Sequence, residues 1–151
     1  MNATSFSKKT VQHLDCAGKR VLMRVDFNVP TKDGEVTDAT RIEAALPTIR
    51  YLLQKGARLV LVSHLGRPKG GPEPKYSMKP VQVRLERLLR QGVAWTDDCV
   101  GPAAEAASKA LKDGEVLLVE NLRFHAEEEA NDPAFAQIGR ASCRERVWYY
   151  V

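Results

Sequence analysis

Cysteine is scarce: Cys16, Cys99 and Cys143 are an odd number of thiols at wide spacing. That argues against a disulfide framework or a CxxC zinc or redox site, and three reduced, ordinary thiols are expected. Long hydrophobic runs are missing too. Residues 59–62 and 116–119 are short runs closed by polar residues on both sides, far short of the roughly 20 apolar residues of a spanning helix. Residues 1–10 carry Lys8 and Lys9 but no apolar segment or small-residue cleavage site, so a cytoplasmic chain with no membrane contact is expected. No block of like charges occurs: 23 Lys and Arg against 19 Asp and Glu spread a net +4 along the chain, which gives a nucleic-acid partner little support. With only 10 Gly and 8 Pro, collagen-like and broadly disordered classes are excluded. The sequence has no GxGxxG after its first strand-like run, no GxxxxGK[ST], no GxSxG, no HExxH and no metal-ligand spacing of Cys or His. Nucleotide, common hydrolase and metal sites therefore find no support in the linear pattern, and no metal is expected.

What is present is a chain of 151 residues, 44% hydrophobic and 28% charged, the size of one ordinary globular domain. Residues 21–25 form a β-prone run that ends at Asp26, Phe27 and Asn28, ahead of Pro30 and an Asp33-Gly34 turn signal. Residues 59–62 repeat the design and end at Ser63-His64 before a Gly, Pro and Lys/Arg stretch. Residues 93–96 end at Asp97-Asp98, and residues 116–119 end at Glu120-Asn121, with Arg123 and His125 just beyond. Helical stripes lie between these runs. Ile42, Ala45, Leu46, Ile49, Leu52 and Leu53 share one face before Gly56, with Pro47 expected to kink or restart the helix. Met78, Val81, Leu85, Leu88 and Leu89 form a second stripe, with Pro80 near its start and Gly92 at its end, and Pro102 opens an Ala-rich third helix up to Leu111. Apolar strands alternating with helices predict an α/β fold, a three-layer Rossmann-like domain with a parallel sheet covered on both faces.

Beyond a helix-like start at residues 132–135, the chain changes character. Residues 138–151 read IGRASCRERVWYYV, closing on four bulky residues with neither helical period nor strand alternation. Residues 138–147 resemble the translation of a common sequencing-library adapter, so 138–151 are read as a non-native tail, with a divergent natural tail as the alternative. Three Arg and one Glu in that tail supply +2 of the net +4.

In open parallel sheets ligands bind outside the carboxyl ends of the strands, where this sequence places Asp26, Asn28, His64, Arg67 and Arg123. With Arg41 at the start of the first helix, three guanidiniums and an imidazole suit a small ligand bearing phosphate and carboxylate oxygens. Asp26 and Asn28 suit hydroxyls on the same molecule. Blander roles stand beside these. Asp26 and Asn28 can form a turn or cap. His64 can be a satisfied, partly buried imidazole, His125 can cap a carbonyl, and His13 fits an exposed position. Arg41 can pair with Glu35 or Asp38. Lys69, Glu73 and Lys75 can simply keep their loop solvated, and the acidic run at 127–129 can mark a helix start.

Three motifs in order, Arg24-Val25-Asp26-Phe27-Asn28-Val29-Pro30, Ser63-His64-Leu65-Gly66-Arg67-Pro68 and Glu120-Asn121-Leu122-Arg123-Phe124-His125, resemble the phosphoglycerate kinase family. The likeness includes the segment from Asp38 to Pro47 and runs from about residue 7 to 137. It implies reversible phosphoryl transfer between 1,3-bisphosphoglycerate and ADP, giving 3-phosphoglycerate and ATP, in an enzyme of two α/β domains that close over their substrates. By the same resemblance, residues 1–137 are part of the amino-terminal phosphoglycerate-binding domain, and the nucleotide-binding domain is absent. The implied substrate site is Asp26, Phe27, Asn28, Arg41, His64, Leu65, Gly66, Arg67 and Arg123. Asp26 and Asn28 would hold the hydroxyl and carboxylate end, while His64, Arg67 and Arg123 grip the non-transferring phosphate. Arg41 takes the catalytic role. The complete enzyme would use Mg-ATP or Mg-ADP, with none bound by this chain, and would act as a glycolytic monomer. Lacking the Mg-ADP site, the interdomain hinge helix and the last strands of its own sheet, the chain is expected to be inactive alone. The alternatives are a stand-alone binding module for small phosphorylated acids, a non-functional truncated product and, more distantly, a Rossmann-type oxidoreductase fragment.

Overall fold

The computed structural model describes residues 10–126 and the backbone of a strand at 148–150; the acidic run at 127–129, the helix-like start at 132–135, Cys143 and the rest of the tail lie outside the described residues. Strand β1 (Arg20–Arg24) leads through Asp26 and Asn28 into a small hairpin of β2 (Thr31–Lys32) and β3 (Glu35–Val36). Its turn is at Asp33 and Gly34, whose φ values of 51° and 78° give the doubly left-handed turn that matches strand twist. Helix α1 (Thr40–Gln54) follows, then β4 (Arg58–Val62), α2 (Lys79–Leu89), β5 (Val93–Trp95), α3 (Pro102–Ala110) and β6 (Val116–Leu118). The sheet order is β5-β6-β4-β1-β7, with β7 the strand at Trp148–Tyr150, and every pairing in it is parallel.

The strands bury both faces, and alternate residues divide between two cores. Val21, Met23, Leu59, Leu61, Val116 and Leu118 point to one side, against Ile42, Ile49 and Leu52 of α1 and Val81 and Leu85 of α2. Leu22, Val60, Val62, Leu117 and Val119 point to the other, against Leu111 and Ala107 at the α3 end. This period of two with apolar residues on both phases is why the strands read as continuous hydrophobic runs. Each of the fully buried Ile49, Leu52, Leu59 and Leu61 side chains contributes about 1.5–3 kcal/mol by leaving water. Among the described residues no helix is long and apolar enough to cross a membrane.

One expectation is corrected: Pro47 does not restart α1, which runs as one helix through it. Pro47 and Glu43 both lie on the exposed face, so the Glu43 carbonyl that loses its ladder partner turns to solvent. The end of the tail, which shows no strand alternation in the sequence, supplies β7 (Trp148–Tyr150), which pairs with β1 in the register Leu22 to Trp148 and Arg24 to Tyr150. The unpaired edge of β1 is a template for any β-prone segment in reach, and an aromatic run is such a segment.

Candidate active site

Because β1, β4 and β6 are parallel neighbours, their carboxyl ends open at one rim of the sheet. The chain is then fixed residue by residue. The Val25 N–H donates to the Val62 carbonyl at 3.0 Å, carrying the pairing one residue past the strand. The Phe27 N–H donates to Ser63 Oγ at 2.9 Å, and the Phe27 ring is fully buried beneath the rim. Asp26 and Asn28, flanking it, therefore point away from the core. The Asn28 N–H donates to Asp26 Oδ1 at 3.1 Å, so these residues do form a local turn. Asn28 Oδ1 in turn accepts the Gly66 N–H at 2.9 Å, tying the β1 tip to the β4 tip and leaving the Asn28 amide to present its NH2.

Arg41 enters this rim from the first turn of α1. Asp38 sets that turn by accepting the Thr40 N–H at 2.8 Å and the Thr40 hydroxyl at 2.6 Å, and these bonds, led by the hydroxyl, hold its carboxyl below the ordinary aspartate range. Arg41 Nη1 then donates to both Asp26 oxygens, at 3.0 and 2.9 Å. The pairing expected with Glu35 or Asp38 is thus replaced by one with Asp26, across the mouth of the crevice. Both side chains are about half exposed, 54% and 52%, and such a pair contributes only about 0–1 kcal/mol to folding. Its consequence is orientation rather than stability.

The β4 tip is held from below by a residue that the sequence shows only as part of a polar strand tip. Asn121, fully buried, accepts the N–H groups of Leu65 at 3.2 Å and Arg123 at 3.0 Å, and donates to the carbonyls of Leu65 at 2.7 Å and Tyr76 at 2.9 Å. One amide fastens three segments. Its neighbour Glu120, 5% exposed, accepts from Ser77 Oγ at 2.7 Å, the Met78 N–H at 2.6 Å and the Asn121 N–H at 2.7 Å, placing a carboxylate at the amino end of α2. The available signal was a polar pair interrupting a buried run between Val119 and Leu122.

Gly66 sits where Arg123 Nη1 donates to its carbonyl at 3.3 Å. With φ at +60°, a Cβ on it would fall 2.3 Å from the Tyr76 ring, so only glycine fits. Leu65 and Phe27 lie in the core, with their N–H groups already engaged, so they shape the rim from beneath. Arg67 is exposed, while His64 and Arg123 are half-buried. Glu73 does more than solvate the glycine-rich loop: it accepts the Lys69 N–H at 2.7 Å, which chiefly holds its carboxyl below the usual value. His13 is exposed, as expected, and accepts from Thr10.

At the far end of the rim, His125 Nε2 meets Asp98 Oδ1 at 2.8 Å. Burial pushes the Asp98 carboxyl up, but the bonds from His125 and from the Cys99 and Val100 N–H groups outweigh it and leave it below the ordinary range. Cys16, buried, and Cys99, half-buried, are not joined in a disulfide.

The family profile for phosphoglycerate kinase matches residues 11–143. The chain belongs to the phosphoglycerate kinase family. It is 60% identical over 132 residues to the phosphoglycerate kinase of Akkermansia muciniphila, covering 87% of this chain and 33% of that protein. It is 61% identical over 134 residues to that of Chloroflexus aurantiacus, covering 87% and 34%. Among solved structures, the phosphoglycerate kinases of Coxiella burnetii and Pyrococcus horikoshii each superpose with a TM-score of 0.80 at 34% identity. Each covers 92% of this chain, which spans 34% and 36% of theirs. The chain thus spans about a third of the length of its phosphoglycerate kinase relatives, and the parallel α/β sheet expected from the sequence is the family's own.

Proposed function

We propose that this chain carries the phosphoglycerate side of a phosphoglycerate kinase, an enzyme moving a phosphoryl group between 1,3-bisphosphoglycerate and ADP. The observation that supports it is the rim itself: Arg41 pinned across Asp26, Asn28 tied to Gly66, and Arg123 drawn onto the Gly66 carbonyl. In this reading His64, Arg67 and Arg123 hold the phosphate that is not transferred. Asp26 accepts from the glycerate hydroxyl, and the Asn28 NH2 donates to the carboxylate end. Arg41, kept at the mouth by Asp26, stabilises the charge on the phosphoryl group in flight, which is metaphosphate-like and held mainly by positioning and electrostatics. The nucleotide and its Mg2+ are met by the remaining two-thirds of the enzyme. Exclusion of water and in-line alignment need both halves, and a cytoplasmic, monomeric enzyme completes the reading.

Calorimetric titration with 3-phosphoglycerate tests it. Saturable binding is expected, weakening as salt is raised and lost in Arg123→Ala, with no phosphoryl transfer when Mg-ATP is added. No heat in the folded chain would remove the binding assignment; detectable transfer would overturn the division of labour.

The same reading divides the chain into a partial phosphoglycerate-binding domain over residues 1–137 and a non-native tail over 138–151. The family match extends past that boundary, to residue 143. A read of the source gene from the Glu129 codon onward is expected to depart from the tail and continue into a second α/β domain. A read that reproduces the tail and stops would make the segment native.

A further inference from the structure

The tips of β5 and β6 bring together a second set of side chains, away from the Asp26–Arg41 pair. β5 runs out through Thr96 into Asp98 and Cys99, and β6 runs through a short helical turn at Leu122–Phe124 to His125. Sequence spacing gave no hint of this, since Asp98 and Cys99 are adjacent and His125 lies far along the chain. In space, a carboxylate oxygen of Asp98, the thiol sulfur of Cys99 and a ring nitrogen of His125 all lie within 4.8 Å of one another.

The local backbone holds two of the three in place. Thr96 Oγ1 donates to the Asp98 carbonyl at 2.6 Å. Asp98 Oδ1 accepts the Cys99 N–H at 2.7 Å and the Val100 N–H at 3.3 Å, so the carboxylate is fixed over the turn that carries the thiol. His125 completes the set through its bond to the same oxygen. All three residues are half-buried: the His125 side chain is 28% exposed and that of Asp98 47%. The cluster is therefore open to an ion from solvent while lying against the rim.

Thiolate, imidazole and carboxylate together select a borderline-soft divalent ion over Mg2+ or Ca2+, which take oxygen ligands. Bond lengths of about 2.0–2.3 Å to such an ion in tetrahedral geometry put ligand atoms about 3.3–3.7 Å apart. The His125–Asp98 pair, at 2.8 Å, is closer than this, and no separation within the set exceeds 4.8 Å. From this we propose that Asp98, Cys99 and His125 form a binding site for a thiophilic divalent cation of the zinc type. The ion takes the place of the hydrogen shared by His125 Nε2 and Asp98 Oδ1, and solvent water fills the fourth position. Binding releases the Cys99 thiol proton to solvent, and the hydrogen displaced from Nε2 is carried on Nδ1, so that the imidazole serves as a neutral ligand.

Alkylation kinetics on the full chain, with Cys143→Ser as background, tests the site. Cys16, only 2% exposed, is the internal control for global unfolding. Zinc chloride is expected to slow iodoacetamide modification of Cys99 by about tenfold or more, with Mg2+ without effect and Cys16 unreactive throughout. His125→Gln should abolish that protection. Cobalt(II) added to the unaltered chain should give a thiolate-to-cobalt charge-transfer band that disappears in Cys99→Ser. Unchanged Cys99 reactivity under zinc, protection that survives His125→Gln, or a cobalt spectrum without the thiolate band would each overturn the proposal. The cobalt spectrum decides even if a variant fails to fold.

Discussion

Replacing Asn121 with leucine is expected to lower the unfolding free energy by about 4 kcal/mol and to abolish anion binding at the rim. Leucine is similar in size, so the loss is not a cavity effect. It removes four hydrogen bonds at once, to the Leu65 N–H and carbonyl, the Tyr76 carbonyl and the Arg123 N–H. The Leu65 groups are buried and would be left with no partner, at about 1–3 kcal/mol each. The released segment carries Gly66 and Arg67, and the lost Arg123 bond loosens the turn that presents that guanidinium. Urea denaturation followed by fluorescence measures the first effect, and calorimetry with 3-phosphoglycerate the second. A change below about 1 kcal/mol would mean that Asn121 is not the fastening that its four bonds indicate.

A second large effect is expected at Arg41, and it is of the opposite kind. When this chain's matched segment is grafted into the Akkermansia muciniphila relative, 60% identical to it, the chimera should turn over. Arg41→Met in that chimera should then lower kcat by about a thousandfold, the scale of an arginine that stabilises phosphoryl charge. Stability should barely move, because the Arg41–Asp26 pair is about half exposed on both sides and is worth at most about 1 kcal/mol. Arg41→Lys should recover only part of the rate, since an ammonium lacks the planar fork that meets several phosphoryl oxygens together. Loss of rate within tenfold for Arg41→Met would remove Arg41 from the catalytic role. A parallel loss of stability would make it structural.

The contrast between these residues shows what was legible in the sequence. Strand tips announce themselves, because a run such as Leu59 to Val62 stops abruptly at Ser63 and His64, and parallel pairing then carries every tip to one rim. Arg41 was visible for the same reason, as a cation in the first turn of an amphipathic helix. Its partner was not, because the choice among Glu35, Asp38 and Asp26 depends on how α1 crosses the end of β1, and linear distance favours the wrong acids. Asn121 was seen only as part of a polar strand tip, and its fastening role was not legible because all but one of its side-chain bonds reach segments more than forty residues away. Pro47 misled in part in the other direction: it does not restart the helix, which continues through it with Pro47 on the exposed face.

The position of β1 has a consequence for how a chain ending in residues 138–151 is made. Leu22 lies opposite Val60 on one side and Trp148 on the other, so the first strand to leave the ribosome receives one neighbour early and the other late. Elongation proceeds at about 5–20 residues per second, so β1 waits seconds or longer with one flank of amides and carbonyls uncovered. Neither β5 nor β6 shortens that interval, because both join on the far side of β4. The nascent chain is therefore most open to pairing with a second nascent copy after β4 has docked and before the strand that covers β1 arrives.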